Sequence, residues 1–263
     1  MKKYFKIVVV LLVLCLSGCA RAPIKNGVRY VITDSGDAYI GGYTDNIDTD
    51  VTFPNKINGH SIIYIRHNAF TECNKIRSVD ISEGINVIEY SAFSFCKNLK
   101  KVNLPDSLQR IESSAFCFCE SLESITLPKG LSMIESDTFG NCSSLKSIEI
   151  PDSVTRIGSY AFQDCESLES IKLPNGLSMI ENGTFSGCSS LKSIEIPDSV
   201  TEIGSYAFMF CESLESIVLP YGLTKIYDDT FDWAYRSNAT FYVKEGSYAE
   251  SWAKEHGYSV EYY

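Results

Sequence analysis

AFQDCESLESIKLP, Ala161 to Pro174, is the stretch on which the whole chain turns. Cys165 follows Phe162 at three residues, and Leu168, Ile171 and Leu173 come behind it, before a proline. The arrangement returns as AFMFCESLESIVLP from Ala207 and as AFCFCESLESITLP from Ala115. The cysteines are either chemistry or packing. That choice separates an enzyme from a scaffold.

Aligned on the phenylalanine, the chain gives Phe70, Phe93, Phe116, Phe139, Phe162, Phe185, Phe208 and Phe231, every step being 23 residues. The residue before each is Ala or Thr. Three residues after stand Cys73, Cys96, Cys119, Cys142, Cys165, Cys188 and Cys211, and Ala234 breaks the column. A leucine or isoleucine column follows at six residues, a valine or isoleucine column at nine and a leucine or isoleucine column at eleven. A proline closes every such unit but the first.

A period of roughly 20–29 residues with an L-x-x-I-x-L core marks a leucine-rich-repeat solenoid. In SIEIP, Ile148 and Ile150 point one way and Ser147 and Glu149 the other, which is a short strand with one buried face. Proline ends it, having no N–H to continue a ladder. SVTRIGSYAF then returns the chain with Val154, Ile157, Ala161 and Phe162 facing inward. One unit cannot bury this face alone, so the units must stack. A second period of 46 residues overlies the first: CSSLKSIEIPDSVTRIGSYAF recurs from Cys188 with one change. That near-identity reports duplication of coil pairs.

The run IPDSVTRIGSYAFQDCESLESIKLP resembles the BspA-type leucine-rich repeats of bacterial surface proteins, from about Val28 to the C-terminus. The resemblance implies a parallel β-solenoid with strands on one face and short helical or irregular segments on the other. It brings no catalytic motif. It also implies attachment to matrix proteins or to other cells.

The ends differ from the array. Lys2, Lys3 and Lys6 precede the apolar run IVVVLLVLCL, too short to span a bilayer of about 30 Å and therefore an export signal. LSGC, Leu16 to Cys19, resembles the bacterial lipobox and implies cleavage before Cys19 and lipid attachment to its sulfur, an anchor firmer than a single acyl chain. GVRYVIT and DAYIGGYT read as two strands about an SGD turn. At the far end Ser247 and Glu250 form a capping box; Ala249, Trp252, Ala253 and His256 share a helical face, Gly257 stops the helix and YSVEYY is a last strand. The organisation expected is therefore a signal over 1–18, a lipidated tether over 19–27, an N-terminal cap over 28–60, about eight coils over 61–237 and a strand–helix–strand cap over 238–263.

Charge excludes one class of partner. The chain carries −10, and loss of the three leader lysines leaves 20 basic against 33 acidic residues, or −13. Without a basic run this is no nucleic-acid binder. Nor are the cysteines catalytic: His60, His67 and His256 do not recur with them, and a nucleophile needs a base beside it. A linear file of thiols is no tetrahedral metal cage. No cofactor motif is present. The cysteines read as free, buried packing residues, and Cys165→Ser is expected to cost roughly 1–3 kcal/mol by leaving an unpaired buried hydroxyl.

The outward columns hold the candidate binding residues. Lys100, Glu123, Lys146, Glu169, Lys192 and Glu215 alternate in sign, either as a stabilising surface ladder or as part of a ligand face. Beside them lie Lys101, Asn103, Ser124, Thr126, Ser147, Glu149, Ser170, Lys172, Ser193 and Glu195, a polar strand face suited to a protein or a glycan. Phe95, Phe118, Phe210 and Trp233 share another column, as packing or as exposed anchors. The function expected is that of a monomeric, non-enzymatic, membrane-anchored surface lipoprotein in adhesion or extracellular recognition. The alternative is a structural or assembly lipoprotein that binds other envelope components.

Overall fold

The computed structural model describes residues 22–231 and 239–263. The expected export signal, Cys19, Trp233 and Ala234 lie outside them. The chain winds into a β-solenoid whose 23-residue coils carry three ladders, one on each side.

The first ladder is the one that SIEIP announces. Asp50–Phe53, Ser78–Ile81, Lys101–Asn103, Ser124–Thr126 and Ser147–Glu149 pair in parallel. Single bridges, Glu149 with Lys172 and Ser170 with Ser193, carry the ladder across the next coil. Ser193–Glu195, Ser216–Val218, Thr240–Val243 and Ser259–Tyr262 complete it, again in parallel. Val102, Ile125, Ile148, Ile171, Ile194 and Ile217 point inward and are buried. The strands are three residues long in the middle coils because a proline stands just beyond. That proline's carbonyl accepts from the N–H three residues on, as in Val154 to Pro151 at 3.0 Å, and the chain turns its first corner.

The second ladder is made of two-residue strands. Tyr64 and Ile65 pair with Val87 and Ile88, which pair with Arg110 and Ile111. Met133–Ile134 pairs with Arg156–Ile157, and Met179–Ile180, Glu202–Ile203 and Lys225–Ile226 follow in parallel. Ile111, Ile134, Ile157, Ile180, Ile203 and Ile226 are the buried members. The N-terminal hairpin, Val28–Ile32 against Ala38–Tyr43, joins this ladder through His60–Ile65, and Ile24–Lys25 folds back on Val28 and Arg29.

The third side was expected to be irregular or briefly helical. It holds no helix among the described residues and is regular in another way. In each coil from Asn68 to Phe210 the residues two before and two after the repeat phenylalanine have positive φ, for example Ser91 at 53° and Phe95 at 60°, or Tyr160 at 59° and Asp164 at 52°. A left-handed residue thus stands on each side of the phenylalanine, and alternate N–H groups of the stretch reach the next coil. Ser91, Phe93 and Phe95 donate to Ser113, Ala115 and Cys117 of the next coil at 3.0, 2.8 and 2.8 Å. The intervening N–H groups of Ala92, Ser94 and Cys96 close local turns onto Glu89, Ser91 and Phe93. Every N–H of this stretch is thus satisfied, as burial demands. Each left-handed side-chain-bearing residue costs about 1–2 kcal/mol, which the three inter-coil bonds offset at about 0.5–1.5 kcal/mol each.

Between the ladders lies one continuous core. Phe70 through Phe231 stack on their neighbours at 5.2–5.8 Å between ring centres and within 15° of parallel. The cysteine column lies beside them. Cys96, Cys119, Cys142, Cys165, Cys188 and Cys211 each donate Sγ–H to the carbonyl of the phenylalanine 26 residues earlier, at 3.1–3.3 Å. All eight described cysteines are free and buried. This corrects the expectation for Cys165→Ser, because the hydroxyl finds an acceptor waiting at Phe139.

The C-terminal helix forms where the sequence places it. The helix Tyr248–Glu255 is capped by Ser247, whose hydroxyl accepts from the Glu250 N–H at 3.1 Å, and Glu250 reaches back to the Gly246 N–H at 2.6 Å. Ala249, Trp252 and Ala253 are buried. His256 departs from that face: it is the exposed C-cap residue, stacked on Trp252 at 4.1 Å. Gly257 takes φ 78° and ends the helix.

Three outcomes follow from this packing. Cys165→Ala removes the thiol bond and leaves a void, and should lower unfolding free energy by about 1–2 kcal/mol in urea melts, with Cys165→Ser costing less. Thiol reagents should meet no reactive sulfur in the folded array and all eight thiols after denaturation, since the column is 0–1% exposed and Cys117 8%. Gly158→Ala should cost about 1–3 kcal/mol, because its Cβ would stand 2.6 Å from the Ser136 nitrogen.

Candidate functional site

The first ladder brings the sequence-selected face together. Lys101, Ser124, Ser147, Ser170 and Ser193 form one outward column, Lys101 paired with Ser124, Ser124 with Ser147, and Ser170 bridged to Ser193. Asn103, Thr126, Glu149, Lys172 and Glu195 form the second, with Thr126 opposite Glu149 and Glu149 opposite Lys172. All ten are exposed. Parallel pairing at strand spacing, about 4.8 Å, sets the step between them. The face begins beside Arg77 and Asp80 and runs on to Val218 and Tyr242.

The alternating column stands just before the strands. Its backbone is tied coil to coil, Lys146 N–H to Glu123 at 3.2 Å and Glu215 to Lys192 at 2.8 Å. Of its side chains only Lys192 and Glu169 form an ion pair, at 3.3 Å, among the described residues. Both are more than half exposed, so the pair is worth little.

Most of the close carboxylate bonding occurs elsewhere. Glu89, Glu112 and Glu135 each accept from a backbone N–H of the coil before, those of His67, Tyr90 and Ser113, at 2.9, 3.0 and 3.1 Å. These acids stitch the coils together. Only the recurrence of Glu four residues before the phenylalanine hinted at it.

The aromatic column is partly packed and partly open. Phe95 and Phe118 stack at 4.4 Å, Phe95 remaining 38% exposed, while Asn141, Asp164 and Gly187 interrupt the file before Phe210. Outside the aromatic column lie Tyr90, stacked on His67 at 5.0 Å, and Tyr160, whose ring lies over Gly183 so closely that a Cβ there would meet it at 2.3 Å.

None of the described cysteines is hydrogen-bonded to a histidine. Burial pushes the Cys117 thiol up to about 11 and the Cys211 thiol to about 12, and raises Cys96, Cys119, Cys142, Cys165 and Cys188 as well. A thiol so desolvated stays protonated and unreactive. His60 bonds the Gly36 carbonyl, His67 the Glu89 carboxylate and His256 the Trp252 carbonyl. Two open grooves pass Ser107 and Arg110, and Ser113 and Arg156; in the second the Ser113 hydroxyl donates to the Glu135 carboxylate at 2.9 Å, and no histidine lines either groove. No group of three or more His, Cys, Asp or Glu residues could hold a metal ion among the described residues.

Comparison with known proteins agrees with this architecture. A T. pallidum leucine-rich-repeat protein of known crystal structure is 27% identical; the match covers 91% of this chain and 97% of that one, with a TM-score of 0.68. A leucine-rich-repeat protein from Bacteroides ovatus is also 27% identical over 91% of this chain and 67% of its own, with a TM-score of 0.75. No curated protein matches the chain. Six copies of the BspA type leucine-rich repeat region match residues 47–168 and 132–244. The chain belongs to the BspA-type leucine-rich-repeat family.

Proposed function

We propose that this chain is a non-enzymatic cell-surface lipoprotein, held by lipid on Cys19, whose strand face docks an extracellular protein in adhesion or recognition. The observation that carries the proposal is the unbroken exposed face. Lys101, Ser124, Ser147, Ser170 and Ser193 beside Asn103, Thr126, Glu149, Lys172 and Glu195 stand in register and converge on no cleft. A surface of this kind recognises a broad partner. It does not enclose a small molecule. Leucine-rich-repeat proteins generally bind other proteins, which supports the same reading. The LSGC sequence before Ala20 supports the anchor.

Capture experiments with the mature chain test it, using intact cells and their extracts as the source of partners. Retention of extracellular proteins is the expected result, and exclusive retention of the cell's own envelope proteins would give it the assembly role. Lys172→Glu places a third acid between Glu149 and Glu195. It should change Kd for the captured protein by roughly two- to fivefold, the scale of an exposed ion pair, with the melting temperature unchanged. Unaltered binding would exclude the strand face and direct attention to Phe95 and Phe118.

A further inference from the structure

The charges of the strand face are arranged in two columns of opposite phase. Lys100, Glu123, Lys146, Glu169, Lys192 and Glu215 alternate along one, and Glu149, Lys172 and Glu195 alternate along the other. Each of the three middle coils therefore carries both signs: Lys146 with Glu149, Glu169 with Lys172, Lys192 with Glu195. A ladder confined to one chain needs alternation within a column but fixes no phase between columns. It should also draw neighbours into contact. Only Lys192 and Glu169 meet; Lys146, Glu149, Lys172 and Glu195 form no ion pair among the described residues.

The face is also neutral where the molecule is not. Five lysines, at 100, 101, 146, 172 and 192, stand with five glutamates, at 123, 149, 169, 195 and 215, in a chain of net charge −10. Two copies repel each other over most of their surface. On this face that repulsion vanishes.

An alternating row of six charges, reversed end for end, reads as its own complement. A two-fold axis along the strands, between the coils of Lys146 and Glu169, lays the face on itself. Lys100 then meets Glu215 of the second copy, Glu123 meets Lys192 and Lys146 meets Glu169. In the adjoining column Glu149 meets Lys172. We propose that the strand face is a homotypic docking surface, its occupant a second copy of this chain laid antiparallel. The inference rests on the reading of this face as the binding surface and names the partner. The small Ser124, Ser147, Ser170 and Ser193 lying beside the charges leave room for the approach. Such association is isologous and closes as a dimer. The two copies run in opposite directions, as molecules borne on facing surfaces would.

Sedimentation velocity on the mature chain tests the proposal. The wild type should dimerise at about 50 mM salt, and its Kd should rise on the order of tenfold by about 500 mM, as exposed charge pairs are screened. One variant carries Glu123→Lys, Glu169→Lys and Glu215→Lys; the other carries Lys100→Glu, Lys146→Glu and Lys192→Glu. Each alone should be monomeric with an unchanged circular dichroism spectrum, and an equal mixture should dimerise again. A wild type that stays monomeric at about 100 µM overturns the proposal, as does association that the reversals leave intact. Folded variants that fail to recombine overturn it too. If the wild type is monomeric but Lys172→Glu still weakens capture of another protein, self-docking fails while the strand-face reading stands. If dimerisation behaves as expected and no other protein is captured, the second copy is the partner and the heterotypic reading fails.

Discussion

One coil of this protein has no inside. Its repeat phenylalanine becomes buried only when the phenylalanines before and after it close over both faces of the ring, at 5.2–5.8 Å. Its N–H groups at alternate positions about that phenylalanine find acceptors only in the next coil. Both demands point along the same axis and repeat every 23 residues, so every coil is stabilised by its neighbours and hardly by itself. Stacked ring pairs contribute about 0.5–1.5 kcal/mol each beyond their burial. The open ends are the exception, and there the chain spends different structure: an antiparallel hairpin at one, a capped helix and a last parallel strand at the other.

The same constraint explains the cysteines. Position three beyond the phenylalanine must be small and apolar, because it lies in the core, and it must also donate, because the phenylalanine carbonyl of the preceding coil has a lone pair to spare. That carbonyl already accepts from the N–H three residues on, as Phe139 does from Cys142 at 3.2 Å, and the Cys165 thiol supplies the second bond at 3.3 Å. Alanine meets the first requirement alone. A hydroxyl meets the second at greater desolvation cost. Thiols meet both, and their burial, which raises their ionisation well above the usual range, makes them inert.

How much of this was legible in the sequence depends on whether a feature leaves a column of like residues. The inward columns did, so the coils, their strands and the stacked core follow from Phe70 to Phe231 directly. The outward strand columns did as well, because proline at a fixed place holds the register. The second ladder was less legible: two residues such as Arg156 and Ile157 are too short to show a period of two. The third ladder was only faintly signalled. Left-handed backbone favours glycine, asparagine and aspartate, and Asn68, Asp137, Asn141, Asp164, Gly183 and Gly187 stand at its positions, but Phe95, Phe118, Tyr160 and Tyr206 share the same columns, and their own preference opposes it. Tertiary hydrogen bonding overrides that preference, and no local pattern can reveal a bond to a residue of the next coil. The charged column was legible as a pattern and not as contacts: alternating signs left a surface ladder and a ligand face both open, and along the Lys100 to Glu215 column only Lys192 and Glu169 pair among the described residues.

The surface pattern has a property that no single coil possesses. Duplication of a coil pair copies a strand bearing Lys then Glu, and one bearing Glu then Lys, as a unit. Each added unit preserves the alternation along the array and the opposition across it, and adds equal numbers of both charges. An array grown this way acquires a neutral, ordered face however acidic its remaining surface becomes, while the core it must also extend constrains only the inward residues. Burial and exposure thereby fall on alternate positions of the same strand: Ile148 belongs to the stack, and Ser147 and Glu149 face outward. The period of two that makes the strand also keeps the two sets of residues apart, so the outward columns can change at little cost to the core.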